Sequence, residues 1–186
     1  MALTVITSTG TSTGSGTSNA TSRTFTIPTL AAGDVVVVAM TTWDQPNTLN
    51  TPTGTGLSFT LQSQVNTAAR DHHYIWTAVA SSGGTNVVVT CTVLAGGSCI
   101  HNGVLYLCPT ADGYSLAGTP NTATSTSGGT VSLTGTSGNL GIVSSSDWDG
   151  NTGTIAWASS GTGDQTLQAG VNVNSQYFGH ATLTGS

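Results

Sequence analysis

Lysine and glutamate are absent from all 186 residues, and the only charged side chains are seven Asp and two Arg, Arg23 and Arg70. Lys and Glu normally cover the exposed face of a helix, so helices have little to be built from here. In their place stand Thr, close to a fifth of the chain, with Ser, Asn and 25 Gly. β-branched residues punctuated by glycine are strand material, and the chain reads as all-β. A hydrophobic share of 37%, gathered in short Val, Ile and Leu runs, supplies a core that disordered Thr/Ser/Gly sequence lacks. The length is that of one domain, or of two small halves sharing a core.

A formal charge of -5 with two scattered Arg cannot neutralise a row of phosphates, which sets nucleic acid and anionic membrane surfaces aside as partners. A Walker phosphate loop would need a Lys. No apolar run approaches the roughly 18 residues of a membrane span. Met1-Ala2-Leu3-Thr4-Val5-Ile6 has neither a basic region nor a long apolar one, so it does not read as a secretory signal. The charge-poor composition still resembles that of extracellular proteins. A chain made in a cytosol and released inside an assembled particle would reconcile the two readings.

From Thr7 to Ser22 the sequence is almost pure Thr, Ser and Gly, so residues 1–22 are expected as an N-terminal strand or arm and residues 23–186 as one β-sandwich domain. Gly10-Thr11-Ser12-Thr13-Gly14 matches the nucleophile-elbow pattern, but no apolar strand or helical period flanks it, and such biased sequence produces the match by chance. The Asn19-Ala20-Thr21 sequon carries no weight without a signal peptide. Arg23 to Leu30 and Gly33 to Thr42 are the first strand pair: Phe25 and Ile27 alternate with Thr24 and Thr26, and Pro28 closes the strand. Val35-Val36-Val37-Val38-Ala39-Met40 is apolar on both faces and belongs at the centre of a sandwich or under cover on both sides. Further strands are expected at Leu57 to Leu61, Tyr74 to Ala80, Val87 to Val93, Ile100 to Leu107, Ile155 to Ala158, Thr166 to Val173 and Tyr177 to Leu183.

A weak internal repeat runs through this series. Thr24-Phe25-Thr26-Ile27 recurs as Thr130-Val131-Ser132-Leu133, and the central strand recurs as Gly138-Asn139-Leu140-Gly141-Ile142-Val143. Gly33 to Gly138 and Trp43 to Trp148 share one spacing, 105 residues, too long for a solenoid. It suits two halves that each contribute a hairpin ending in a Trp-Asp corner, joined by a polar connection over Ala111 to Gly129. Short strands with Gly-rich turns and no helical period give an antiparallel two-sheet sandwich, jelly-roll-like.

Three cysteines, Cys91, Cys99 and Cys108, leave at least one unpaired. If Val87 to Val93 and Ile100 to Leu107 form a hairpin centred on Gly96-Gly97, Cys91 faces Asn102, Cys99 faces Leu94, and no cysteine faces another. They read as small buried hydrophobes.

The remaining chemistry is thin. His72 and His73 are adjacent and point to opposite faces of a strand, and with His101 and His180 they give no convergent zinc set. Asp147-Trp148-Asp149-Gly150-Asn151 lacks the spacing and the bidentate Glu of a calcium loop, and turn formation explains it. Asp147 and Asp149, at i and i+2, mark no glycosidase pair. No metal, cofactor or catalytic residue is expected. Scattered Thr-x-Thr matches lack the fixed period of an ice-binding face. Of the four Trp, Trp43 and Trp148 sit at corresponding corners and, with Tyr74, are the candidates for a glycan or partner contact, against the plainer role of core plugs.

Leu30-Ala31-Ala32-Gly33-Asp34 opening a Val run, the aromatic strand Tyr74-Ile75-Trp76-Thr77-Ala78-Val79-Ala80, and a Val/Thr strand before Gly103-Val104-Leu105-Tyr106 resemble the jelly-roll, lectin-like structural proteins encoded by tailed phages of actinobacteria. In that family a Gly-Asp strand comes twice; here Asn139 stands in place of the second Asp. The resemblance spans Arg23 to the C-terminus. It implies a virion component without enzymatic activity, a capsid decoration protein on the outer head surface, or in the alternative a minor tail protein or carbohydrate-binding module. The implied partners are the major capsid protein or tail proteins, further copies of the chain, a trimer by analogy, and host glycans.

Overall fold

The computed structural model describes residues 4–7, 21–43, 48–66, 71–94, 100–113, 140–147, 165–173 and 176–184. Those residues form eleven strands, one 3-10 turn at Thr110–Asp112 and no α-helix, which is the all-β sandwich expected of a chain without Lys or Glu. In chain order the first five are β1 (Thr4–Thr7), β2 (Ser22–Leu30), β3 (Val35–Trp43), β4 (Thr53–Gly54) and β5 (Thr60–Asn66). Next come β6 (Asp71–Val79), β7 (Gly84–Thr92) and β8 (Ile100–Cys108). The last three are β9 (Leu140–Asp147), β10 (Gln165–Val173) and β11 (Gln176–Thr184).

Two antiparallel sheets make the sandwich, one ordered β1-β8-β3-β6-β5 and the other β2-β7-β4. The pairs nest: β1 with β8, β2 with β7, β3 with β6, as a jelly roll nests its strands. Ser22↔Thr92 begins a register that reaches Leu30↔Gly84, and Val35↔Val79 resumes it as far as Trp43↔Asp71. Paired positions add to 114 on both sides of the bend, so residues 22–43 and 71–92 form one antiparallel ribbon folded once across the core.

Asp34 fixes that bend. Its Oδ2 accepts from the Ala31 amide at 2.8 Å and its Oδ1 from the Thr110 amide at 3.0 Å, closing the corner and tying it to the chain that leaves β8. Backbone bonds carry the ribbon through: the Gly33 amide donates to Ala80 at 2.8 Å, and the Ala80 amide donates to Asp34 at 2.9 Å. Gly33 takes φ 90, a left-handed conformation glycine adopts without penalty. Any Cβ there would press on Thr110 Oγ1 at 3.1 Å.

Both faces of β3 are buried, as its unbroken apolar run required. Val36, Val38 and Met40 share the sandwich interior with Phe25 and Ile27 of β2, Val87 and Val89 of β7, and Trp76, Leu105 and Leu107. Val35, Val37 and Ala39 pack on the opposite face with Val104, Tyr106 and Cys108 of β8. A third sheet, β10-β11-β9, lies on that side: β9 runs against β3 and β6, and β10 and β11 come against β8. β8 approaches β3 closely at Gly103, where a Cβ would collide with the Met40 sulfur and stand 2.8 Å from the Ala39 carbonyl oxygen.

Several local expectations are corrected. β2 and β3 do not pair with each other but belong to opposite sheets, and so do β7 and β8, which therefore form no hairpin. β8, buried on both faces from Gly103 to Cys108, takes the place between β1 and β3, while β7 alternates buried and exposed and suits the outer sheet. Cys91 consequently faces Arg23 rather than Asn102. Pro28 does not end β2 but lies within it, between the Ile27↔Val87 and Thr29↔Thr85 pairs, because an edge strand needs no outward amide there. Leu57 makes only an isolated bridge to Gly54, and the strand expected there starts at Thr60. It then joins β6 at the far edge of the five-stranded sheet, where an ideal jelly roll would set it beside β4.

The 105-residue repeat is structural. Val35↔Val79 and Thr42↔His72 in β3–β6 correspond to Leu140↔Thr184 and Asp147↔Tyr177 in β9–β11. β10 takes the place of β5 but runs one residue out of step with it: its register shift, between Leu167 and Ala169, lies 106 residues after the one between Leu61 and Ser63, and Asn172↔Tyr177 answers Asn66↔His72. The second copy forms the third sheet instead of a half of the same sandwich. Residues 8–20, the 130–133 segment and the strand expected at Ile155 to Ala158 lie outside the described residues.

Asp34→Ala removes two bonds to a charged acceptor and is expected to cost about 3 kcal/mol, roughly 10 °C in Tm for a chain this size. Thr29→Ala, at an exposed edge position, should shift Tm far less. Gly103→Ala is expected to destabilise by about 1–3 kcal/mol through overpacking against Met40, read by urea titration.

Candidate functional site

Period-two alternation along β6 sends His72, Tyr74 and Trp76 into the sandwich and His73 and Ile75 to its other face. The three inward rings stack in a file: His72 on Tyr74 at 6.1 Å and 10°, Tyr74 on Trp76 at 4.9 Å and 4°. Tyr74 is only 2% exposed, so its ring faces are occupied by neighbours within the core and offer no platform to a glycan. Trp43 ends β3 opposite Asp71 and Ile100, and Trp148 lies outside the described residues together with Asp149, Gly150 and Asn151. The three suggested contact residues are therefore not assembled into one site by the described structure.

Because the ribbon folds once, the start of β2 and the end of β3 finish at the same end of the sandwich. Polar residues collect there: Arg23, Thr41, Thr42 and His72 are all buried. Among the described residues, the hydroxyls of Thr41 and Thr42 have no hydrogen-bond partner, and neither does the phenol of Tyr106 farther along β8. Register sets His72 and His101 on one row either side of Thr42, a proximity their sequence separation conceals. Among the described residues, no group of three or more His, Cys or Asp is placed to hold a metal.

Burial governs titration throughout this region. It lowers the pKa of His72, and together with the positive charge that His72 can carry it lowers that of His73 to about 4. Burial also raises the Cys91 thiol to about 12, and burial with the nearby Asp34 carboxylate raises Cys108 to about 11. Both are free thiols of low reactivity, the small buried hydrophobes the sequence suggested; Cys99 lies outside the described residues. Tyr106 is likewise shifted up by burial.

The most regular exposed surface is the outer face of β2-β7-β4. Outward side chains from β2 (Ser22, Thr24, Thr26) stand beside Thr92, Thr90 and Val88 of β7 in register, and Thr53 of β4 pairs with Thr90. Val88 is 47% exposed. A shallow groove of about 390 Å³ runs between Thr53, Gly54 and Thr55 on one side and Val88 and Thr90 on the other. Hydroxyls and methyls line it, without a charge or an aromatic ring. Scattered in sequence, these Thr residues become an ordered array only when β2, β7 and β4 align, which is why the Thr-x-Thr pattern alone could not reveal it.

No family model matches this chain, and no curated protein or solved structure matches it either.

A His kept neutral in the folded state gives a definite pH dependence. With the folded pKa of His73 near 4 and the ordinary value 6.5, the unfolded chain binds the extra proton between those limits. Stability from this group is complete above the unfolded pKa and falls as pH drops from 6.5 toward 4, by at most about 1.4 kcal/mol per pH unit. Urea unfolding across that window is expected to show a steeper slope for the wild type than for His73→Gln. Equal slopes would refute the assignment to His73.

Proposed function

We propose that this chain is a structural protein of a tailed-phage particle, a capsid decoration protein seated on the outer head surface. The observation that carries the reading is the outer Ser/Thr/Val face of β2-β7-β4, a surface free of charge among the described residues and backed by the sandwich core. A contact built on such a face desolvates hydroxyls and methyls, whose cost is small beside that of burying unpaired charges. The absence of Lys and Glu extends the same property over the molecule. The resemblance carried by Leu30 to Asp34, Tyr74 to Ala80 and Gly103 to Tyr106 supports the same class. Binding to an assembled shell stabilises both partners by mass action, so the work of the protein is adhesion rather than chemistry.

A second reading, contact with host-surface glycans from the tail, draws on the hydroxyl-lined groove at Thr53 to Thr55. Neutral sugars suit an uncharged groove, although aromatic stacking would have to come from residues elsewhere, with Trp43 and Trp148 the candidates.

Cryo-electron microscopy of the particle that encodes the chain discriminates the two. Regular density on the head lattice is the expected result. Density confined to the tail, with glycan-array binding lost in Trp43→Ala, would replace decoration by host contact.

A further inference from the structure

No further inference is drawn: the strongest candidate, the row at one end of the sandwich where register sets the buried hydroxyl of Thr42 between His72 of β6 and His101 of β8, carries nothing, because no third His, Cys or Asp among the described residues joins it to hold a metal and the His101 side chain lies outside those residues.

Discussion

At the bend between β2 and β3, the carboxylate of Asp34 holds two backbone amides, that of Ala31 beside it and that of Thr110, 76 residues away beyond β8. That contact lets an antiparallel ribbon leave one sheet and enter the other without losing register. With the ribbon folded there, β6 and β7 are carried into opposite sheets as the partners of β3 and β2. β8 is drawn back beside β3 by the attachment of Thr110. A hairpin-by-hairpin reading of the sequence misses this, because the strongest pairings join strands far apart in the chain.

Burying β3 on both faces follows from the same geometry. Its aliphatic residues supply the sandwich interior on one side and the seat of the third sheet on the other, which gives the molecule three layers where two were expected. The layers leave a few polar groups at Thr41, Thr42 and Tyr106 without a hydrogen-bond partner among the described residues and keep His73 neutral. Outside, the small sheet turns its Ser and Thr residues into an uncharged array. The same alternation that fills the core therefore creates the surface proposed for contact with a particle.

The β3-β6-β5 arrangement recurs as β9-β11-β10: β9 and β11 pair in the register of β3 and β6, and β10 meets β11 one residue out of step with β5 on β6. The β3–β6 pairing pattern returns at a spacing of 105 residues in different surroundings. β3 is enclosed by β8, while no described strand takes the corresponding place beside β9.

The sequence by itself determined the class, the positions of most strands, the two-sided burial of β3, the inertness of Cys91 and Cys108, and the repeat. Each of these depends on composition or on alternation within a few residues, where the side-chain period of two leaves little freedom. Only the tertiary structure decided which strands pair, that Tyr74 is buried and stacks on Trp76, and that dispersed Thr residues form one face. It also decided that the second half becomes a separate layer. Those outcomes depend on long-range register, and register is set by how two distant segments bury their faces together, a quantity that no local stretch of this chain contains.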